Sequence, residues 1–415
     1  MQGIRIIPHN TKFRLERWLT PEGKNLVGQL PKWIVGSHFD PELKVYVLQL
    51  HYQQHVTQPL LLEHLRELGV DVSGGQLNRF LTEGHQNFHG EKIEILRAGL
   101  AASRYVGSDD TGGRHLGQNC YTTAIGNELF TWFETTTSKS RVNFLKLLRA
   151  GFTDYVLDEE AFAYMQASGM PKSQLDLFKE EHTFPTALHW AGYLKSIGLT
   201  SQQHSKIATE GALYASVLSH GVSKNLVILS DDAGQFNIAG LLHALCWVHA
   251  ERNINKIIAF SDAHREAQEH VRGQIWDFYQ ELKEFKTVPT EEKKDSLAAR
   301  FDVIFTQKTC FQMLNLALRR IHHNKQELLV VLQRPEIPLH NNLRESDIRD
   351  FVKKRKISAS TRSENGRQCR DTFLSLKKTC QKLGISFREF LRDRLLRQFS
   401  ILPLPQIILA ASTEP

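Results

Sequence analysis

Three stretches of this chain put carboxylates where a divalent cation could use them. "YVGSDDTGGRH" ends a β-forming run with Asp109 and Asp110 before a Gly-Gly turn. "VILSDDAGQF" ends an apolar run with Asp231 and Asp232, and "NNLRESDIRDF" sets Glu345 and Asp347 at the start of a helix-forming segment. Hard cations such as Mg²⁺, or Mn²⁺ in its place, bind through carboxylates and keep positions for water and phosphate oxygens. Two such ions bridged by an aspartate clamp the attacking and leaving oxygens of an in-line phosphoryl displacement. Taken singly, each Asp-Asp reads equally as a turn or an N-cap. The three together, two at strand ends and one on a helix, point to metal-dependent phosphoryl chemistry. Neighbours on a strand face opposite sides, so Asp110 and Asp232 should point away from the site of Asp109 and Asp231. Asp347 is the next candidate should Glu345 fail.

A second chemical signal is "LCWVHAERNI", with Cys246 and His249 at the spacing of half a zinc site. Structural zinc needs four ligands, usually two spaced pairs. No other Cys-x-x-Cys or Cys-x-x-His occurs, and His322 and His323 have no cysteine near them. On a helix Cys246, His249 and Asn253 share one face, while Trp247, Ala250, Ile254 and Ile257 form an apolar stripe on another. The pair therefore reads as packing and hydrogen bonding beside the second aspartate. The five cysteines, Cys120, Cys246, Cys310, Cys369 and Cys380, are odd in number and dispersed. That excludes a disulfide framework and suits a reducing compartment.

The elements that must position these groups come from texture. Residues 1–35 form an N-terminal segment without clear period. Residues 36–102 are helical, and "TQPLLLEHLRELGVDVSGGQLNRFLTEG" has the spacing of a helix-turn-helix. One helix stops at Gly69, the next is capped by Ser73, and Gln76, Asn78 and Arg79 on the second suit DNA contact. A plain helical hairpin fits the same pattern. Residues 103–259 give three β-rich runs joined by turns, a helix, and the buried strand of "KNLVILSDD", followed by a helix over "LLHALCWVHAERNINKI". This is the order of a ribonuclease-H-like α/β core. Residues 260–335 read as a helical insertion, 336–400 as the glutamate-bearing helix with a basic helical C-terminal region, and 401–415 as a tail.

Composition fits this division. The chain has 415 residues, 41% hydrophobic and 23% charged, which excludes wholesale disorder. Its net charge of +7 suits a nucleic-acid partner. There is no apolar signal core, and "ILPLPQIILAA" is too short to span a bilayer, so a soluble cytoplasmic protein associated with the nucleoid is expected. Lys353, Lys354, Arg355 and Lys356, followed by Arg362, Arg367, Arg370, Lys377, Lys378 and Lys382, directly follow the glutamate. They suit phosphate contact, although a solvated helix face is the usual fate of such a run.

These residues together resemble a DDE transposase of the insertion-sequence sixty-six type, over about residues 36–396. "DDT" at 109–111 is similar to the family's first motif, Asp231 followed by "CWVHAERN" to its second, and "NNLRESDIR" to its glutamate motif, which ends at Arg349. The sequence departs from the family where His340 precedes Asn-Asn, where Arg-Glu-Ser replaces Ala-Glu-Arg, and where Asp110 replaces a glutamate. The resemblance implies Asp109, Asp231 and Glu345 as catalytic metal ligands for two Mg²⁺ ions, and Cys246, His249 and Asn253 as site supports. It also implies cleavage and strand transfer of double-stranded DNA by a homo-oligomer, with Arg349 and residues 353–356 on DNA. The alternatives are a hydrolysis-only nuclease of the same fold and a DNA-binding descendant whose catalysis has lapsed.

Overall fold

The computed structural model describes residues 1–3, 6–30 and 38–412. The expected boundary at 35/36 and the last three residues of the expected tail lie outside the described residues. After an exposed hairpin, Arg17–Leu19 with Asn25–Val27, the chain forms α1 (Pro41–Leu48), α2 (Gln58–Glu67), α3 (Gly74–Thr82) and α4 (Gln86–Ala102). Gly69, at φ +83°, ends α2. The Ser73 hydroxyl accepts the Gln76 N–H and caps α3, so both punctuation residues act where their chemistry places them. Leu61, Leu65, Leu77, Phe80 and Ile95 turn inward and join the main core.

The central sheet follows. Strands β1 (Tyr105–His115), β2 (Gln118–Gly126) and β3 (Thr131–Thr136) form an antiparallel meander. The chain then passes through α5 (Arg141–Leu148), a small separate hairpin (Tyr155–Leu157 with His182–Phe184) and α6 (Gln202–Ser219). It re-enters the sheet as β4 (Val227–Ser230) and β5 (Leu242–Leu245). The order is β3-β2-β1-β4-β5, with β4 and β5 parallel to β1. All of β4 is buried, as its unbroken apolar run requires.

Two elements correct the sequence reading. Asp109 and Asp110 do not end their strand: Gly112 and Gly113 pair with Tyr121 and Cys120 inside the β1–β2 ladder, and the turn comes at Leu116 and Gly117, both with positive φ. "LLHALCWVHAERNINKI" is not one helix: Leu242–Leu245 is a strand, the chain turns at Cys246, and the helix α7 spans Trp247–Asn255. Leu242, His243, Ala244 and Leu245 pair in register with Val227, Ile228, Leu229 and Ser230. The exposed edge of β4 supplies backbone partners that outweigh the helix preference of Leu and Ala.

Beyond α7 come α8 (Asp262–Thr287), α9 (Glu291–Thr306) and α10 (Gln312–His323), which pack around Trp247, Phe278, Phe301 and Phe305 in a core of their own. The ambiguous "ELLVVLQ" forms short helical turns. α11 (Asn342–Ser358) then crosses the sheet face made by Ala124 and Phe133, using Ile348 and Phe351.

Next, α12 (Glu364–Lys382) runs along the edge strand β3. Thr379, Ser375 and Asp371 accept the backbone N–H groups of Thr131, Phe133 and Thr135 at 3.2, 2.9 and 2.8 Å. Four helical residues rise about 6 Å and two strand residues about 6.8 Å, so every fourth side chain of the helix meets every second strand N–H. The helix covers an edge that would otherwise be open to pairing. Two shorter helices, α13 (Phe387–Leu395) and α14 (Leu404–Ser412), return to the N-terminal layer. Among the described residues no helix is long and apolar enough to cross a membrane.

Candidate active site

The register of β1 against β4 brings two acids together. Gly107 pairs with Leu229 at the end of the parallel ladder. Two residues further along stand Asp109, within β1 and on the same face as Gly107, and Asp231, one residue past the end of β4. That face lies under α11, because a Cβ on Gly107 would come within 2.5 Å of Asn341 Oδ1 and 2.6 Å of Arg344 Cγ. The neighbouring acids turn away. Asp110 accepts from Thr123 Oγ1 at 2.6 Å and Gln235 Nε2 at 2.9 Å, and Asp232 pairs with Arg320 at 2.6 Å.

Glu345 arrives on the first turn of α11, and its helix is pinned at the entry. Asn341 donates its backbone N–H to Cys246 Sγ at 3.3 Å and its side-chain amide to Ser108 O at 2.9 Å. Trp247 N–H reaches Leu339 O at 3.0 Å. Arg344 lies fully buried under the sheet, donating to Asn127 O at 2.9 Å and pairing with Asp347 at 2.7 Å. A Cβ on Gly126 would stand 2.6 Å from its guanidinium. Glu345 itself faces His249 Nε2 and Arg252 Nη2, each at 3.5 Å.

The Cys-x-x-His pair thus brackets the glutamate: Cys246 holds the chain before the helix and His249 faces the carboxylate. All five cysteines are free. Asn253 is exposed and lines a cleft of about 390 Å³ between α7 and α10, with Cys246, His249, Asp232 and Arg320.

The family profile described as "Transposase IS66 family" matches residues 213–369, which include Asp231, the Cys-x-x-His and Glu345. An uncharacterized protein, y4jO, of Sinorhizobium fredii (strain NBRC 101917 / NGR234) is 42% identical over 321 residues, covering 76% of this chain and 99% of that protein. The chain belongs to the IS66 transposase family.

The electrostatics of the acids in this IS66 family member call for positive charge. Burial pushes the Asp109 carboxyl up to about 7 against the opposing hydrogen bond from Asp110 N–H, and Asp231, Asp110 and Glu345 add to the rise. Burial also raises Asp110. Glu345 Oε1 is buried without a hydrogen bond. His249 is lowered by burial and, less, by Arg252, against the pull of Glu345. Carboxylate oxygens are hard donors that suit Mg²⁺. Yet among the described residues no group of three His, Cys, Asp or Glu side chains is gathered closely enough to hold a metal ion. The donor chemistry fits, while the three carboxylates do not close into a cage.

The basic run stands differently from its appearance in sequence. Arg349, Lys353 and Lys356 are exposed, but Lys354 is buried, donating to His51 O at 2.8 Å, and Arg355 donates to Thr111 Oγ1 at 3.1 Å. Arg367 pairs with Glu134 and Asp371, Arg370 with Asp371, Lys377 with Asp350, Lys378 with Asp350 and Asp347, and Lys382 with Asp347. These cations neutralise the underside of α11 and the edge of β3, so they are not a free face. Asp347, the reserve ligand, is buried among Arg344, Lys378 and Lys382 and accepts from Thr131 Oγ1 at 2.9 Å. It faces away from Asp109. On α3, Asn78 and Arg79 are exposed, Gln76 is half-buried, and Arg79 donates to Gln76 Oε1 at 2.7 Å.

Sequence reasoning passed over Arg344, Asn341, Gly107 and Gly126. The signal available was glycine inside two strands, which marks a close approach by another group.

Proposed function

We propose that this chain is a metal-dependent DNA transposase with a ribonuclease-H-like core, in which Asp109, Asp231 and Glu345 form the acid triad. One observation supports the reading: Asp109 within β1 and Asp231 just past β4 follow the paired Gly107 and Leu229 by two residues each, beneath a helix whose first turn bears Glu345, and the charges of Asp231 and Glu345 both raise Asp109. The sheet order β3-β2-β1-β4-β5 supports the core assignment. In this reading α8–α10 belong to a helical insertion at 260–335, and α2–α3 to a helix-turn-helix at 36–102 that offers Gln76, Asn78 and Arg79 to DNA. Arg349, Lys353 and Lys356 supply further phosphate contact. The working form is a homo-oligomer on DNA.

Divalent cations held by the three carboxylates would supply Lewis-acid stabilisation of charge on the phosphoryl oxygens. Water attacks phosphorus at the element end, the P–O3′ bond breaks, and a 3′-OH is left. That 3′-OH then attacks a target phosphodiester and exchanges one ester for another. No side-chain nucleophile takes part. The residues of this chain position the acids. Asn341 and Cys246 fix the entry of α11, Arg344 locks it to the sheet, and His249 with Arg252 holds the Glu345 carboxylate.

The test is purified full-length protein with a DNA fragment bearing matched element ends, assayed with Mg²⁺ or Mn²⁺. Cleavage with joining supports the transposase, and cleavage alone supports the hydrolytic nuclease. Binding without cleavage supports a lapsed enzyme, a reading favoured by the pairing of Glu345 with Arg252.

A further inference from the structure

A second cleft, of about 540 Å³, opens where α2 and α3 face the turn between α11 and α12. Its walls carry Lys354, Arg355, Arg362 and Arg370 and no carboxylate at all. Arg370 is already paired with Asp371. The other three cations have no carboxylate partner among the described residues. Among the described residues, Lys354 reaches only His51 and sits over the Tyr52 ring, Arg355 reaches only the Thr111 hydroxyl, and Arg362 is exposed with no hydrogen-bond or ion-pair partner. Ser358 Oγ lies buried at this cleft without a hydrogen bond. Burial, with Lys377 and Arg370 nearby, pulls the Lys354 amine down to about 7. The turn is held in place rather than loose: Thr361 accepts from Leu116 N–H at 3.0 Å, and Ala359 is fixed at φ +57°.

Unpaired cations with hydroxyls and no acid match a phosphodiester, whose oxygens accept several hydrogen bonds around one negative charge. We propose that this cleft binds a backbone phosphate of the DNA on which the candidate active site acts, with Arg362 and Arg355 as the contacting cations. The inference rests on the transposase reading. α11 links the two places, with Glu345 in its first turn and Ser358 at its end. Thirteen residues at about 1.5 Å each make about 20 Å, which at about 3.4 Å per base pair corresponds to roughly six base pairs of duplex between the two places. Asn78 lines the same cleft, which brings α3 to this stretch of duplex.

The experiment measures binding of the full chain to a fluorescent duplex of about 30 base pairs across a salt series, for the parent, Arg362→Ala, Arg362→Lys and Arg355→Ala/Arg362→Ala. One phosphate contact contributes a slope of about −0.9 in log K against log salt, worth about fivefold at 0.15 M. Arg362→Ala should lose about fivefold with a shallower slope, the double variant about 30-fold, and Arg362→Lys should recover most of the loss. Arg362 is exposed and unpaired, so its variants keep the fold. Unchanged affinity and slope in Arg362→Ala, with a parent that binds DNA, would overturn the cleft assignment alone. A parent that binds no DNA overturns the transposase reading with it. A parallel thermal-shift titration with inorganic phosphate separates the sources. Stabilisation by phosphate that Arg362→Ala abolishes, with DNA binding untouched, assigns the cleft to a free anion and defeats the proposal.

Discussion

Asp109→Asn should abolish activity and at the same time flatten the pH dependence of stability. The carboxyl of Asp109 moves from an ordinary 3.8 to about 7 in the folded chain, mainly through burial. The unfolded chain therefore releases this proton first as pH rises. The stability held by the protonated group is complete below pH 3.8 and is lost as pH climbs through 7. Between pH 5 and 8 the loss is about two pH units of linkage, or about 2–3 kcal/mol at about 1.36 kcal/mol per unit. With an unfolding entropy of about 2.1 cal/mol/K per residue, a chain of this length moves by about 3 °C in Tm. Thermal unfolding of the metal-free protein at pH 5 and 8 measures this directly. The parent should lose the 3 °C, and Asp109→Asn, which carries no charge, should not. Mg²⁺ at pH 8 should raise the parent more than the variant, which keeps only two of the three carboxylates that hold the cation. Matching pH profiles in the two proteins would refute the idea that Asp109 carries the uncompensated charge of this site.

Other substitutions probe the support. Glu345→Gln should stop cleavage and joining while DNA affinity holds or rises as a negative charge leaves, which gel shift and cleavage assays can separate; parental cutting would remove Glu345 from the triad. Gly107→Ala places a methyl within 2.5 Å of Asn341, so α11 must shift; we expect about 1–3 kcal/mol of destabilisation in urea melts and a larger fall in turnover than in DNA affinity. Arg344→Ala removes the buried partner of Asp347 and the donor to Asn127 O, and should cost about 3–5 kcal/mol by the same melts; a variant as stable as the parent would show that α11 is held by other contacts.

The acids were legible because their signal is local. A carboxylate pair after an apolar run can be read from ten residues; Asp231 and Asp232 do follow the end of β4, but Asp109 and Asp110 lie inside β1, whose pairing runs on through Gly112 and Gly113 because β2 supplies partners there that local sequence cannot show. That the Cys-x-x-His lies beside the acids was legible from its place after Asp231. Its actual work, Cys246 accepting from Asn341 across 95 residues of chain, was not, since nothing in either segment names the other. β5 was missed for the same reason: four residues become a strand only because β4 presents an open edge.

The basic C-terminal stretch carries the sharper lesson. Charge in sequence says nothing about where its counter-charge sits. On α12, Asp371, Ser375 and Thr379 recur every fourth residue and cap the N–H groups of β3, so this face is fixed against the sheet. The cations that flank it, Arg367, Arg370, Lys378 and Lys382, must then lie near the same edge and beside α11, where Glu134, Asp347 and Asp371 await them. A helix committed to covering an edge strand cannot also offer that face to DNA. Among the described residues of this stretch, cations without acid partners remain at Lys354, buried against His51, and where α11 outruns the sheet or turns toward solvent, at Arg349, Lys353, Arg355, Lys356 and Arg362. Any DNA held by this part of the chain must therefore run along the outer side and far end of the helix that carries Glu345, and that constraint ties the grip on the duplex to the position of the candidate active site.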